Sequence, residues 1–362
     1  MSIPVPQPGI LNITPYVGGK SKAGDAPVVA KLSSNESPLG PSPKAVAAIE
    51  AMIGQLHRYP DGGAAALTAA IAEVHGLDPA RIICGNGSDE IITLLNSAYV
   101  GVGDEVLFTE HGFLMYAISA SAAGATPVRA AEMNRTADVD ALLAAVTDRT
   151  RIVFLANPNN PTGTYISDQE VRRLRAGLRD DVLLVLDAAY AEYVTKDDYR
   201  PGKELVEAHD NVVMTRTFSK IYGLSALRLG WAYCPAAVTD VLHRVRGPFN
   251  VNALAQAAGV EAVRDQAFIE KAREHNDKWL PILTQSLRGM GLEVTPSVGN
   301  FLLIDFRDSG KTAAEAEQYL SAKGLLLRAV AGYGLPTCLR MTIGLETENH
   351  AVIEALRQLL GK

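Results

Sequence analysis

The chain has 362 residues, 48% of them hydrophobic, a net charge of −6 and a pI near 5.7: enough for two domains and a large core, without the basic stripe of a nucleic-acid binder. No apolar run approaches the roughly 20 residues that span a bilayer, and the proline-bearing start MSIPVPQPGI lacks the charged and apolar regions of a signal peptide, so a cytosolic protein with no nucleic-acid or membrane partner is expected. Cys84, Cys234 and Cys338 stand far apart and never as Cys-x-x-Cys, which argues against a disulfide framework or a zinc site and leaves them as small buried residues.

Residues 1–40 contain Pro4, Pro6, Pro8, Pro15, Pro27 and Pro38 without a sustained period, and predict an irregular arm on a folded body. Thr14-Pro15-Tyr16 and residues 31–36 could line a site or simply make turns. From Pro43 the spacing of Ala45, Val46, Ile49 and Met52 is helical; it breaks at 58–63, and a second helix runs to about His75. Strand-like runs follow at 82–84, 105–108, 126–129, 151–155, 182–186 and 212–215, with helical patterns between most of them. Such alternation implies parallel pairing and a layered α/β domain, because parallel strands need crossover connections. Ligands in these sheets bind beyond the carboxyl ends of the strands, so the loops there are where chemistry is expected. Beyond residue 235 the pattern turns helical over 236–246 and 252–288, the latter with room to bend or break. Strand-like runs at 301–306, 325–328 and 339–343, around helices near 312–323 and 347–361, complete a smaller α+β domain. The expected borders are a large domain over 41–250 and a small one over 251–362, with residues 1–40 forming the arm and part of the small domain.

Several strand-end loops carry distinctive groups. After the first strand, Gly85-Asn86-Gly87-Ser88-Asp89-Glu90 opens a helix, where free N–H groups favour an anion such as phosphate. Glu90 stands where a dinucleotide fingerprint needs a third glycine, which counts against NAD; a capped tight turn is the alternative. The strand at 151–155 runs into the rigid polar loop 157–163. The strand at 182–186 ends on Asp187, with Tyr190 three positions on. A carboxylate there needs a cationic partner or a raised pKa, unless it caps a helix. In Thr215 to Gly230, Lys220 sits among small hydroxyl residues with Arg228 eight positions later. These are an amine for a Schiff base and an anion cradle beside it; an ordinary surface lysine is the alternative.

These loops, in this order, resemble those of the fold type I pyridoxal-phosphate aminotransferases: Asn-Pro-Thr-Gly at 160–163, Asp187 with Tyr190, and Ser-Lys followed by Arg228. Thr14-Pro15-Tyr16, Ser34-Asn35-Glu36, Arg58-Tyr59-Pro60, the loop 85–90, residues 217–224 and residues 338–344 resemble the histidinol-phosphate aminotransferase branch. The resemblance implies a mostly parallel sheet flanked by helices, pyridoxal 5'-phosphate as cofactor, and a homodimer with shared sites. Lys220 would attach the cofactor and move the substrate proton. Asp187 would keep the pyridine nitrogen protonated, while Asn160 and Tyr190 would hydrogen-bond the phenolic oxygen. The cofactor phosphate would lie by Gly87, Ser88 and Asp89 with Ser219, Arg228 and Thr217, and Tyr59 would reach in from a second subunit. Phe113 would stack on the ring, a task any aromatic can do. Arg340 would clamp the donor's anionic end, with Arg328, Tyr16 and Asn35 as helpers; for Arg328 and Arg340 a structural salt bridge is the alternative.

The sequence departs from the family's pattern at Ala188, at Ser37 and at Glu110-His111-Gly112-Phe113, the last bearing on substrate choice. The implied reaction is amino transfer between L-histidinol phosphate, as donor, and 2-oxoglutarate, giving imidazole acetol phosphate and glutamate in histidine biosynthesis. An aromatic amino acid aminotransferase is the alternative, and a pyridoxal-phosphate decarboxylase of a phosphorylated amino acid the more distant one.

Overall fold

A computed structural model describes residues 4–7, 9–22 and 27–362; of the expected arm, residues 1–3, 8 and 23–26 lie outside the described residues. Its centre is a seven-stranded sheet in the order Ile82–Gly85, Gly230–Tyr233, Val212–Thr217, Leu183–Asp187, Thr150–Ala156, Glu105–Thr109, Thr126–Ala130. All pairs are parallel except the two made by Gly230–Tyr233. That strand is absent from the sequence reading. It has four residues and all are buried, so it shows no alternation that would mark it out.

The inner strands read as continuous apolar runs because helices cover both faces. Leu107, Val153, Leu155, Leu184, Leu186 and Met214 point into one core, while Phe108, Ile152, Phe154, Leu183, Val185 and Val213 point into the other. Successive side chains of a strand face opposite ways, so both sets must be apolar.

The helix Pro43–Met52 begins where Ser42 accepts from the Lys44 N–H and proline takes a first-turn position. The helical stretch at 252–288 breaks into Ala253–Arg264 and Gln266–Gly289. At the break, Asp265 turns its carboxylate to the Ser42 hydroxyl and, at 3.0 Å, to the Lys44 ammonium. These bonds to another helix tie down the interruption, which local periodicity does not reveal.

A second sheet, antiparallel throughout, runs Glu293–Val294, Phe301–Asp305, Cys338–Thr342, Arg328–Ala329. It packs on Trp279, Leu283, Leu287, Leu320, Val352 and Leu356 in a core of its own. The strand expected at 325–328 is two short pieces: Leu325–Leu326 pairs in parallel with Ala30–Lys31, and beyond Leu327 the chain changes partner. Ala30–Lys31 is correspondingly a strand within the expected irregular arm, too short to show a period. Among the described residues no helix is long and apolar enough to cross a membrane, and no group of three or more His, Cys, Asp or Glu could hold a metal. The three cysteines are free and buried.

Candidate active site

The carboxyl ends of the central strands open on a cleft that the second sheet closes from the other side. Tyr16, Asn35, Ser88, Asp89, Phe113, Asn160, Asp187, Tyr190, Thr217, Ser219, Lys220, Arg228 and Arg340 line it. Lys220 is partly buried there rather than a surface lysine. Its Nζ donates to the Ser34 carbonyl at 3.1 Å and lies 5.7 Å from the centre of the Tyr190 ring. Burial, then the Arg340 charge, lowers its pKa to about 8 from 10.5, so about a tenth of the amine is neutral at pH 7.

Asp187 ends its strand and is 5% exposed. Its Oδ2 accepts from the Tyr116 hydroxyl at 2.7 Å and its Oδ1 from Thr215 at 3.2 Å. Burial raises the pKa against these bonds, and among the described residues no cation pairs with it. It therefore has the raised pKa that a strand-end carboxylate without a cation requires, and it is not a helix cap. Tyr116 is absent from the sequence reading; the only signal is its place three residues after Phe113, on the helix Leu114–Ala122, where it looks like ordinary core. It stacks on Phe154 at 4.6 Å, which aims its hydroxyl at the carboxylate.

The helix Ser88–Tyr99 points its N-terminus into the cleft from Gly87, at φ 81°. A Cβ on Gly87 would lie 2.7 Å from Arg228 Nη2, and one on Gly230 would lie 2.3 Å from the Ser88 nitrogen. Glycine at both places brings strand, helix and guanidinium together around free first-turn amides. Arg228, at φ 55°, donates to the Ser219 hydroxyl at 3.2 Å and to Asp89 at 3.1 Å. Thr217 accepts from the Ser219 N–H at 3.1 Å, shaping that wall.

Tyr190 is buried, its phenol pushed up to about 12 chiefly by burial, and it accepts from Asn35 Nδ2 at 2.8 Å. Asn35, at φ 56°, is held by Thr342 of the second sheet through its N–H at 2.9 Å. Arg340 donates to Asn160 Oδ1 and, at 2.8 Å, to the Ser33 carbonyl, while its Nε has no partner among the described residues. It is 5% exposed, burial lowers its pKa, and among the described residues no carboxylate pairs with it. A buried cation met only by neutral oxygens is poised for an anion.

Three predicted site residues stand outside the cleft lining: Gly87, directly before Ser88, and Arg328 and Tyr59. Arg328 borders an adjoining cavity with Tyr16, its guanidinium 5.8 Å from that ring and 2.6 Å from the Val17 carbonyl. Tyr59 is 83% exposed and stacks on Phe249 at 4.7 Å. Among the described residues neither Arg328 nor Arg340 forms the salt bridge that is its alternative.

Residues 27–356 match the family model for aminotransferase class I and II. The histidinol-phosphate aminotransferase of Paramagnetospirillum magneticum is 59% identical over 362 residues, covering 100% of both chains. That of Rhodospirillum centenum is 57% identical over 98% of both. Among solved structures, the histidinol-phosphate aminotransferase of Sinorhizobium meliloti in complex with pyridoxal-5'-phosphate has a TM-score of 0.88 at 27% identity, covering 98% of this chain and 97% of that one. With a matching family model over most of its length and close relatives end to end, the chain belongs to the class I and II aminotransferases, in their histidinol-phosphate aminotransferase branch.

Proposed function

We propose that the protein is a pyridoxal-phosphate-dependent, cytosolic, homodimeric transaminase that moves the amino group of L-histidinol phosphate to 2-oxoglutarate in histidine biosynthesis. The observation that carries the reading is that Lys220 and a buried Asp187 without a cation share one cleft with a helix N-terminus. The chain's groups fit the cofactor one for one. Asp187 has no cation among the described residues, the place a protonated pyridine nitrogen would fill, and the glycine-walled amides above Arg228 suit a phosphate. Three buried free cysteines suit a reducing compartment.

When bound, pyridoxal phosphate supplies an electron sink for the pair left as the substrate carbon loses its proton. Lys220 takes that proton at Nζ and returns it, and the Ser34 carbonyl orients the amine between turns. Tyr116 and Thr215 hold Asp187 in one orientation. Asn35 holds the Tyr190 hydroxyl toward the cleft, and Phe113 offers a ring face. Arg340, backed by Asn160, takes the anionic end of either substrate, with Arg328, Tyr16 and Asn35 beside it for the donor phosphate. Exposed Tyr59 is read as a contribution to the phosphate wall of a second subunit.

The test is direct. The purified protein should be yellow, borohydride should fix the cofactor to Lys220, and histidinol phosphate should outpace phenylalanine and threonine phosphate in side-by-side turnover. A colourless protein that takes up no pyridoxal phosphate ends the reading; a wide margin for phenylalanine removes histidinol phosphate alone.

A further inference from the structure

The loop 110–113 departs from the family's pattern, and nothing in the chemistry above uses His111. It nevertheless stands at a junction. Its N–H donates to Glu132 at 3.1 Å, its carbonyl accepts from Asn159 Nδ2 at 3.3 Å, and its ring Nδ1 lies 2.7 Å from the Tyr333 carbonyl. A carbonyl oxygen only accepts, so Nδ1 carries the proton in this contact. Tyr333 ends the turn Ala331–Tyr333, a few residues beyond Arg328, and Gly334 follows at φ 78° with the imidazole against it. The ring therefore bridges the loop that carries Phe113 and the segment that carries Arg328.

A second contact supports the same bridge. Glu132 belongs to the hairpin of Glu132–Met133 and Thr136–Ala137. At its tip, Arg135, at φ 61°, reaches into the second sheet, pairing with buried Asp305 and donating to Thr295 at 2.7 Å. The Thr164 hydroxyl donates to the Arg135 carbonyl at 2.7 Å. The hairpin that holds His111 from behind is thus itself anchored, through Arg135, to the sheet that bears Arg340.

From this geometry we infer that His111 is a positioning residue: by donating its ring N–H to Tyr333 it holds the Phe113 wall and the Arg328 segment at the spacing a phosphorylated donor requires. The inference rests on the functional reading for the identity of the donor, and on the contacts alone for the bridge.

The test compares His111→Leu, which removes the donor, with His111→Asn, whose amide can replace Nδ1–H. Amide hydrogen exchange is read on the cofactor-free proteins, and steady-state kinetics on the holoenzymes. The leucine variant should exchange about tenfold faster over residues 110–116 and 328–334. Its KM for histidinol phosphate should rise about tenfold with kcat and cofactor absorbance within about twofold of wild type. The asparagine variant should stay near wild type in both. Unchanged exchange over 328–334 in the leucine variant overturns the inference, as does equal damage in the two variants, which would mean packing alone. Exchange needs neither cofactor nor substrate, so a wild-type protein inactive on histidinol phosphate would defeat the functional reading while the bridge is still decided.

Discussion

Arg328 and Arg340 are direct cross-strand partners, paired in register between Arg328–Ala329 and Cys338–Thr342. Opposed residues of an antiparallel pair project from the same face, and like charges so placed repel. The arrangement costs stability, and an anion between or beside the two guanidiniums offsets that cost. Inorganic phosphate should therefore raise the melting temperature of the cofactor-free protein, and raise it less in Arg340→Met. With donor, the same variant should lose roughly 100-fold in kcat/KM, equivalent to about 2.7 kcal/mol of lost charge-assisted bonding. An undiminished kcat/KM would remove Arg340 from the anion site.

Lys220 gives a pH prediction. Its folded-state pKa of about 8 lies below the unfolded value of 10.5, so burying the ammonium destabilises the cofactor-free fold fully below pH 8 and progressively less up to 10.5. Lys220→Met should therefore stabilise that form at pH 7, with the gain fading above pH 8. Cofactor attachment to the wild type should quicken with pH with a midpoint near 8. Absorbance-monitored uptake across pH 6.5 to 10 checks this, and a midpoint near 10.5 would contradict it.

Asp187 predicts the opposite slope. Its pKa is raised above the ordinary 3.8, so its carboxyl costs nothing below that pH, and the cost grows from there up to the folded value and is full above it. Cofactor-free Asp187→Asn should gain stability over wild type at pH 7 and match it near pH 3.5, by urea midpoints. In the presence of cofactor the order should reverse, because asparagine cannot pair with a protonated ring nitrogen. Tyr116→Phe removes one of the two hydroxyls on Asp187 and should weaken cofactor binding about tenfold.

Tyr59 makes the shared site testable by complementation. In a mixed dimer of a Lys220→Ala subunit and a Tyr59→Phe subunit, one site would hold both defects and the other neither. About half of wild-type activity is then expected, against very little from the Lys220→Ala homodimer. If Tyr59 served its own subunit, neither site of the mixed dimer would be intact and its activity would not exceed half that of the Tyr59→Phe homodimer.

Much of the cleft's inventory is legible along the chain because it follows from local patterns. A buried parallel strand reads as an apolar run, its end is marked by a polar residue, and Asp187 and the loop after Gly85 stand at such ends. Tyr116 escapes because its partner is 71 positions away and its helix reads as core. The strand Gly230–Tyr233 escapes because it is defined by neighbours on both sides rather than by a period of its own.

By itself, the sequence determined the layered α/β class, the strand-end loops and the residue types gathered there, since periodicity and turn chemistry act over a few residues. The tertiary structure alone decided that Asp187 meets two hydroxyls and, among the described residues, no cation, that Lys220 lies under the influence of Arg340, and that Arg340 faces Arg328 while holding Asn160 from 180 positions away. Those relations set the charge states on which the chemistry depends. They arise from burial and from distances between groups far apart in the chain, which no local pattern carries.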